Sequence, residues 1–215
     1  MRSFLLTLLL SYAASAQVET FRASSSPELF SLNPFSQDGA GTYYLRQKLF
    51  PRLIEPDLNT WQTRGYVAAR WAMDPKGRFI DFWIRSGAQW SDKLPITVED
   101  IKFSFDAMID PKYKSAYGPL LKAQFSRVEI LDSKKVRFHA LKPSMYLTEL
   151  ICRLFYIYPA HFYKDLADSP KWTKSALGGG AYEVARFEPG RLLELRRVQP
   201  WWGSELLHNQ NRFNF

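Results

Sequence analysis

The clearest periodicity in the chain is the two-residue alternation from Phe79 to Arg85. Ile80, Phe82 and Ile84 fall on one face and Phe79, Asp81, Trp83 and Arg85 on the other, which predicts a half-buried strand with an amphipathic outer face. Phe125 to Leu131 and Val136 to Leu141 read as two more strands, and Asp132-Ser133-Lys134-Lys135 between them makes a hairpin the natural joint. Tyr182 to Phe187 pairs in the same way with Leu192 to Val198 across Glu188-Pro189-Gly190-Arg191. Val18 to Ala23 predicts an opening strand, followed by loop signals at Ser24-Ser25-Ser26-Pro27 and Asn33-Pro34.

A helical period takes over from Thr97 to Ile109. Thr97 is placed as N-cap with Asp100 three residues on, acidic residues fill the first turn, and Val98, Ile101, Phe105 and Met108 form the apolar stripe until Asp110-Pro111 ends it. Tyr44, Leu45, Leu49 and Leu53 predict a helix from Thr42 that Pro51 stops near Phe50, and Met145 to Leu154 and Pro159 to Leu166 read as two further helices. Strands and helices mix without strict alternation, so the fold class is α+β or mixed α/β. No internal repeat or low-complexity tract is visible.

At 215 residues the chain is sized for one respectable core or two small ones. An apolar share of 46% and a charged share of 23% exclude wholesale disorder. The aromatic share of 16% is high and points to a recognition cleft as well as a core. Lys and Arg outnumber Asp and Glu by 29 to 21, but no basic run exceeds two residues (Lys134-Lys135, Arg196-Arg197) and acids are interspersed, the pattern of a solvated cationic surface and not of a nucleic-acid footprint.

The first residues look like an export signal. Arg2 supplies the positive start, Phe4 to Leu10 the apolar run, and Ala14-Ser15-Ala16 a small-x-small cleavage site, so residues 1–16 are expected to leave a mature chain beginning at Gln17. The run is too short to span a bilayer, and stable membrane insertion is not expected. Cys152, the single cysteine, lies among Leu150, Ile151, Leu154 and Phe155, which predicts a buried, inert thiol.

Chemistry-bearing constellations are sparse. His139, His161 and His208 stand alone, without zinc-site spacing, and no metal or cofactor is implied. His139 is expected on the polar face of its strand. No nucleophile elbow appears, and Cys152 has no neighbouring histidine. Asp92 beside Trp90, with Glu99 and Asp100, would be the acids of a sugar-cleaving hydrolase, although helix capping explains Glu99 and Asp100 more simply. The run Gly178-Gly179-Gly180 leads into a strand without a following Lys-Ser/Thr, so it reads as a tight turn permitting positive φ and not as a phosphate loop.

Five ordered segments together resemble family 5 extracytoplasmic solute-binding proteins, the peptide receptors of ABC importers. They are Leu32-Asn33-Pro34; Trp71 to Arg85 with Asp74, Gly77, Phe82 and Arg85; Ala88 to Phe105 with Trp90-Ser91-Asp92, Pro95, Thr97, Asp100 and Ser104-Phe105; Gly178 to Tyr182; and Gln199-Pro200-Trp201-Trp202-Gly203. The ending from Trp202 to Phe215 is similar to the Yej-type branch. Lys93 stands where the family pattern has Gly, Val98 where it has Ala, and Ala181 where it has Pro.

The resemblance implies a class II periplasmic-binding-protein-like fold, with residues 17–215 forming a partial first lobe of mixed sheet and flanking helices and the second lobe missing. It implies a periplasmic, non-enzymatic subunit that binds peptides, works with ABC permease subunits, and is a monomer when complete. Two lobes of such a receptor close over an extended peptide. The residues expected to touch it here are Ser24, Ser25, Ser26 and Pro27 after the first strand, and Tyr117 after the Thr97 helix. The rival readings are a truncated fragment without transport activity and a secreted hydrolase.

Overall fold

The computed structural model describes residues 20–22, 29–35, 39–57, 60–165 and 169–207. The expected export signal and Ser24 to Pro27 lie outside the described residues. Nine strands form three sheets among those described: β1 (Thr20–Arg22), β9 (Leu192–Arg197) and β8 (Tyr182–Glu188) in one, β2 (Ile54–Pro56) with β3 (Thr63–Gly65), and β4 (Ala68–Met73), β5 (Phe79–Ile84), β7 (Lys135–Ala140) and β6 (Phe125–Asp132) in the third. The expected mixture of helix and sheet is present. The sheets themselves are not mixed, since every pairing among the described strands is antiparallel.

Alternation decides the two faces of the four-stranded sheet. Met73, Ile80, Phe138 and Val128 lie in register across it on the inner side, as do Trp71, Phe82, Val136 and Ile130. Phe138 is fully buried there, with Phe82, Phe105, Phe125 and Phe155 around it at ring separations of 5.6, 5.8, 5.8 and 5.1 Å. Phe105 comes from α2 (Val98–Ile109), whose buried side covers this face. The outer face carries Arg70, Trp83 and Lys135 in one row and Asp81, Arg137 and Glu129 in the next. The Arg70 guanidinium lies 3.6 Å and the Lys135 ammonium 4.6 Å from the Trp83 ring centroid, while Asp81 accepts from Lys135 at 2.9 Å and Arg137 at 2.6 Å. This face is satisfied by its own cross-strand pairs. His139 is half-buried in the adjoining row, paired with Glu129 at 2.6 Å, and so is less exposed than its strand position suggested.

Register irregularities sit in the outer strands. One extra residue enters β4 at Ala69, β6 at Ser126 and Leu131, and β8 at Ala185, whereas β5, β7 and β9 run without interruption. A bulge twists an edge and spoils it as a template for another strand.

The helix expected from Thr42 is α1 (Gly39–Leu49). Its inward side is Thr42, Leu45, Arg46 and Leu49; Tyr44, read as part of the apolar stripe, is instead 54% exposed. Gly118-Pro119, which punctuates the sequence like a loop, opens α3 (Gly118–Gln124), because proline is tolerated in a first turn where its missing N–H costs nothing. α4 (Leu147–Leu154) and α5 (Ala160–Tyr163) stand where helices were expected, and a short α6 (Ser169–Trp172) follows. Cys152 is buried, and burial pushes its thiol up, as expected of an inert core cysteine. No helix among the described residues is long and apolar enough to cross a membrane.

Candidate functional site

Three of the segments singled out in the sequence, those holding Trp90-Ser91, Gly178 to Gly180 and Trp201-Trp202, meet at the C-terminus of α1. A helix end leaves carbonyls without intrahelical donors, and here the Leu49 carbonyl accepts from the N–H groups of Gly179 at 2.9 Å and Gly180 at 2.8 Å. The Gly178 carbonyl accepts from Ser91 N–H at 2.8 Å, and the Gly179 carbonyl accepts from the indoles of Trp201 at 3.1 Å and Trp202 at 2.9 Å.

None of these three glycines has positive φ, which corrects the turn expected there. Their necessity is space: a Cβ on Gly178 would stand 2.3 Å from the Leu49 carbonyl oxygen, and one on Gly180 2.3 Å from that of Lys48. The left-handed residue nearby is Lys93, with φ 73°, so the lysine found in place of glycine occupies a conformation that favours glycine.

Asp100 ties α2 to this junction. Its carboxylate accepts from the Trp90 indole at 3.1 Å, the Thr97 N–H at 2.9 Å and the Ala160 N–H at 2.8 Å, at 5% exposure. Asp92 pairs with His161 at 2.8 Å. Two of the three acids considered for glycoside hydrolysis are thus used as a helix cap and buried anchor, in the case of Asp100, and as an exposed staple, in the case of Asp92, while Glu99 lies in the first turn of α2. Among the described residues no group of three His, Cys, Asp or Glu side chains is placed to hold a metal.

Beside the junction lies a face rich in phenols. Tyr117 takes the N-cap position of α3, half-buried, with the Arg46 guanidinium 5.1 Å from its ring centroid. Arg46 also donates to the Pro34 carbonyl at 3.0 Å. Arg52 donates to the Tyr156 hydroxyl and to the Cys152 carbonyl at 3.3 Å, and its guanidinium carbon lies 4.4 Å from the Tyr156 ring centroid. Burial pushes the phenols of Tyr156 and Tyr158 up, against the pull of Arg52 on the first and of Arg46 and Arg52 on the second, so both stay neutral hydrogen-bonding groups. Glu55, near Arg52, is paired with Arg64 at 2.6 Å, and burial outweighs that partner and raises its carboxyl.

Behind the phenols, Phe35 packs against Tyr113 at 4.9 Å and Tyr158 at 4.6 Å. Of the expected contacts, Tyr117 is therefore on a polar, aromatic face, and Ser24, Ser25, Ser26 and Pro27 are outside the described residues. The sequence reading missed Arg46, Arg52 and Tyr156. A charged residue one turn after Thr42 on an otherwise buried helix face was the signal available for Arg46.

The family model for bacterial extracellular solute-binding proteins, family 5 Middle, matches residues 62–214. The chain belongs to this family. Among family 5 relatives, the periplasmic oligopeptide-binding protein OppA of Escherichia coli is 24% identical over 208 residues, covering 88% of this chain and 38% of that protein. A YejA relative of Agrobacterium fabrum is 26% identical over 208 residues, covering 91% of this chain and 33% of that protein. The crystal structure of Haemophilus influenzae OppA in complex with the peptide RPPGFSPFR superposes with a TM-score of 0.73 at 23% identity, over 83% of this chain and 38% of that one. These matches bear out the periplasmic-binding-protein-like fold, and the chain spans well under half the length of these relatives.

Proposed function

We propose that this chain is part of the periplasmic substrate-binding subunit of an ABC importer, that its ligand is a peptide, and that residues 1–16 are removed on export. Binding is without chemical conversion, and the cognate partners are the permease subunits of the importer. The observation that carries the reading is the phenol face itself: Tyr117 and the Leu29–Phe35 loop meet at Arg46, which sets a hydroxyl that can donate and accept beside irregular backbone. Such a surface takes the alternating donors and acceptors of an extended backbone without demanding particular side chains. The OppA relatives named for oligopeptide binding support the same ligand class, whereas the fold alone would not choose it. Calorimetric titration of the mature protein with an equimolar pool of tri- to pentapeptides is expected to give saturable heat that varies little with side-chain composition. Absence of heat with every pool would remove peptides as the ligand.

A further inference from the structure

Two parts of the phenol face, the Leu29–Phe35 loop and Tyr117, are far apart in sequence, and one buried side chain touches both. Arg46 is on the inward side of α1 at 5% exposure. Its Nη1 donates to the Pro34 carbonyl at 3.0 Å, and its guanidinium carbon stands 5.1 Å from the Tyr117 ring centroid. A planar guanidinium can do both at once, hydrogen-bonding along its edge while its face rests on a ring. Among the described residues, no other cation lies over Tyr117.

We propose that Arg46 is the positioning residue of this face, fixing the Tyr117 ring against the loop that follows Pro27. A ligand then meets one geometry and not two independently moving sides. The consequence for binding rests on the peptide reading above; the positioning rests on the contacts of Arg46 alone. The loop has anchors of its own, since Leu32 N–H donates to the Thr173 carbonyl at 3.1 Å and Phe35 is packed among Tyr113, Tyr158, Tyr163 and Trp172. Tyr117 also packs against the core, so loss of Arg46 removes the cation that sets the ring's position while the ring stays partly buried and the loop stays in place.

The test compares Arg46→Met and Arg46→Lys in protein labelled with 13C-tyrosine, the Tyr117 signal being assigned through Tyr117→Phe. In Arg46→Met the Tyr117 ring signal is expected to shift and broaden while that of Tyr146 stays unchanged. Arg46→Lys, which keeps a cation and a donor, restores most of the original signal. Titration with the peptide pool should weaken about tenfold in Arg46→Met and about threefold in Arg46→Lys. A Tyr117 signal that is unmoved in folded Arg46→Met, or is the same in both variants, overturns the positioning; peptide affinity in Arg46→Met equal to that of the parent overturns its consequence for binding. If the parent gives no heat while its Tyr117 signal still depends on Arg46, the peptide reading falls and the positioning stands. Should Arg46→Met not fold, Arg46→Gln takes its place in each comparison.

Discussion

On the outer face of the four-stranded sheet, Asp81 answers to both Lys135 and Arg137, and Trp83 is flanked by Arg70 and Lys135. At the glycine junction the Leu49 carbonyl depends on two N–H groups from one short run, in a space that excludes a methyl group. The sheet shares the buried Asp81 carboxylate between two cations on flexible, part-exposed stems that can shift. The junction concentrates its contacts where backbone meets backbone. Similar numbers of polar contacts thus give very different tolerance to change, because a cation on a flexible stem can adjust and a carbonyl at a helix end cannot.

The strongest way to break that contrast is Gly180→Ala. Its φ is ordinary for alanine, so no backbone penalty is added, and the whole cost comes from a Cβ placed 2.3 Å from the Lys48 carbonyl oxygen and 3.0 Å from the Leu49 carbonyl oxygen. Relief requires moving the glycine run off the end of α1, with loss of the Leu49 acceptor bonds. A destabilisation of about 3 kcal/mol in urea unfolding is expected. A change under about 0.5 kcal/mol would mean that the junction yields as easily as the sheet.

Reading the sequence was most successful where partners are close along the chain. The hairpins from Phe125 to Ala140 and Tyr182 to Arg197 and the helix from Val98 to Ile109 needed only local period and turn chemistry. The glycine run was assigned a turn because sequence shows that glycine is needed but not why; the answer, a helix end packed against it, lies in α1. Tyr117 was reachable through the family resemblance. Arg46 was not, because its role is defined by a carbonyl and a ring from two other segments.

An intermediate effect is expected at the turn between β4 and β5. Asp74 accepts from the Arg78 side chain at 2.7 and 3.1 Å, and that hydrogen-bonded guanidinium holds its carboxyl at about 2. A carboxylate depressed in the folded state contributes stability that is complete above the unfolded value of about 4 and is lost as pH falls through about 2. Urea midpoints measured at pH 6, 4 and 2.5 should therefore fall more steeply for the parent than for Asp74→Asn, with the two converging at the acid end. Parallel profiles would show that the Arg78 pair has no differential effect on folding.

The smallest effect is expected from Arg70→Ala, and its smallness is the point. Arg70 is exposed, so its contact with Trp83 belongs to the weak end of cation–π interactions, about 0.5–1 kcal/mol. After its removal Lys135 still lies 4.6 Å from the Trp83 ring centroid and still bonds Asp81 at 2.9 Å, so the row keeps its cross-strand connection. A loss of about 0.5 kcal/mol follows, while Lys135→Ala should cost more because it takes a partner from both Trp83 and a buried carboxylate. If Arg70→Ala alone costs more than about 1.5 kcal/mol in urea unfolding, the outer face is not redundant. The sheet would then depend on single contacts as the junction does, and what separates the two regions would be chemistry alone and not tolerance.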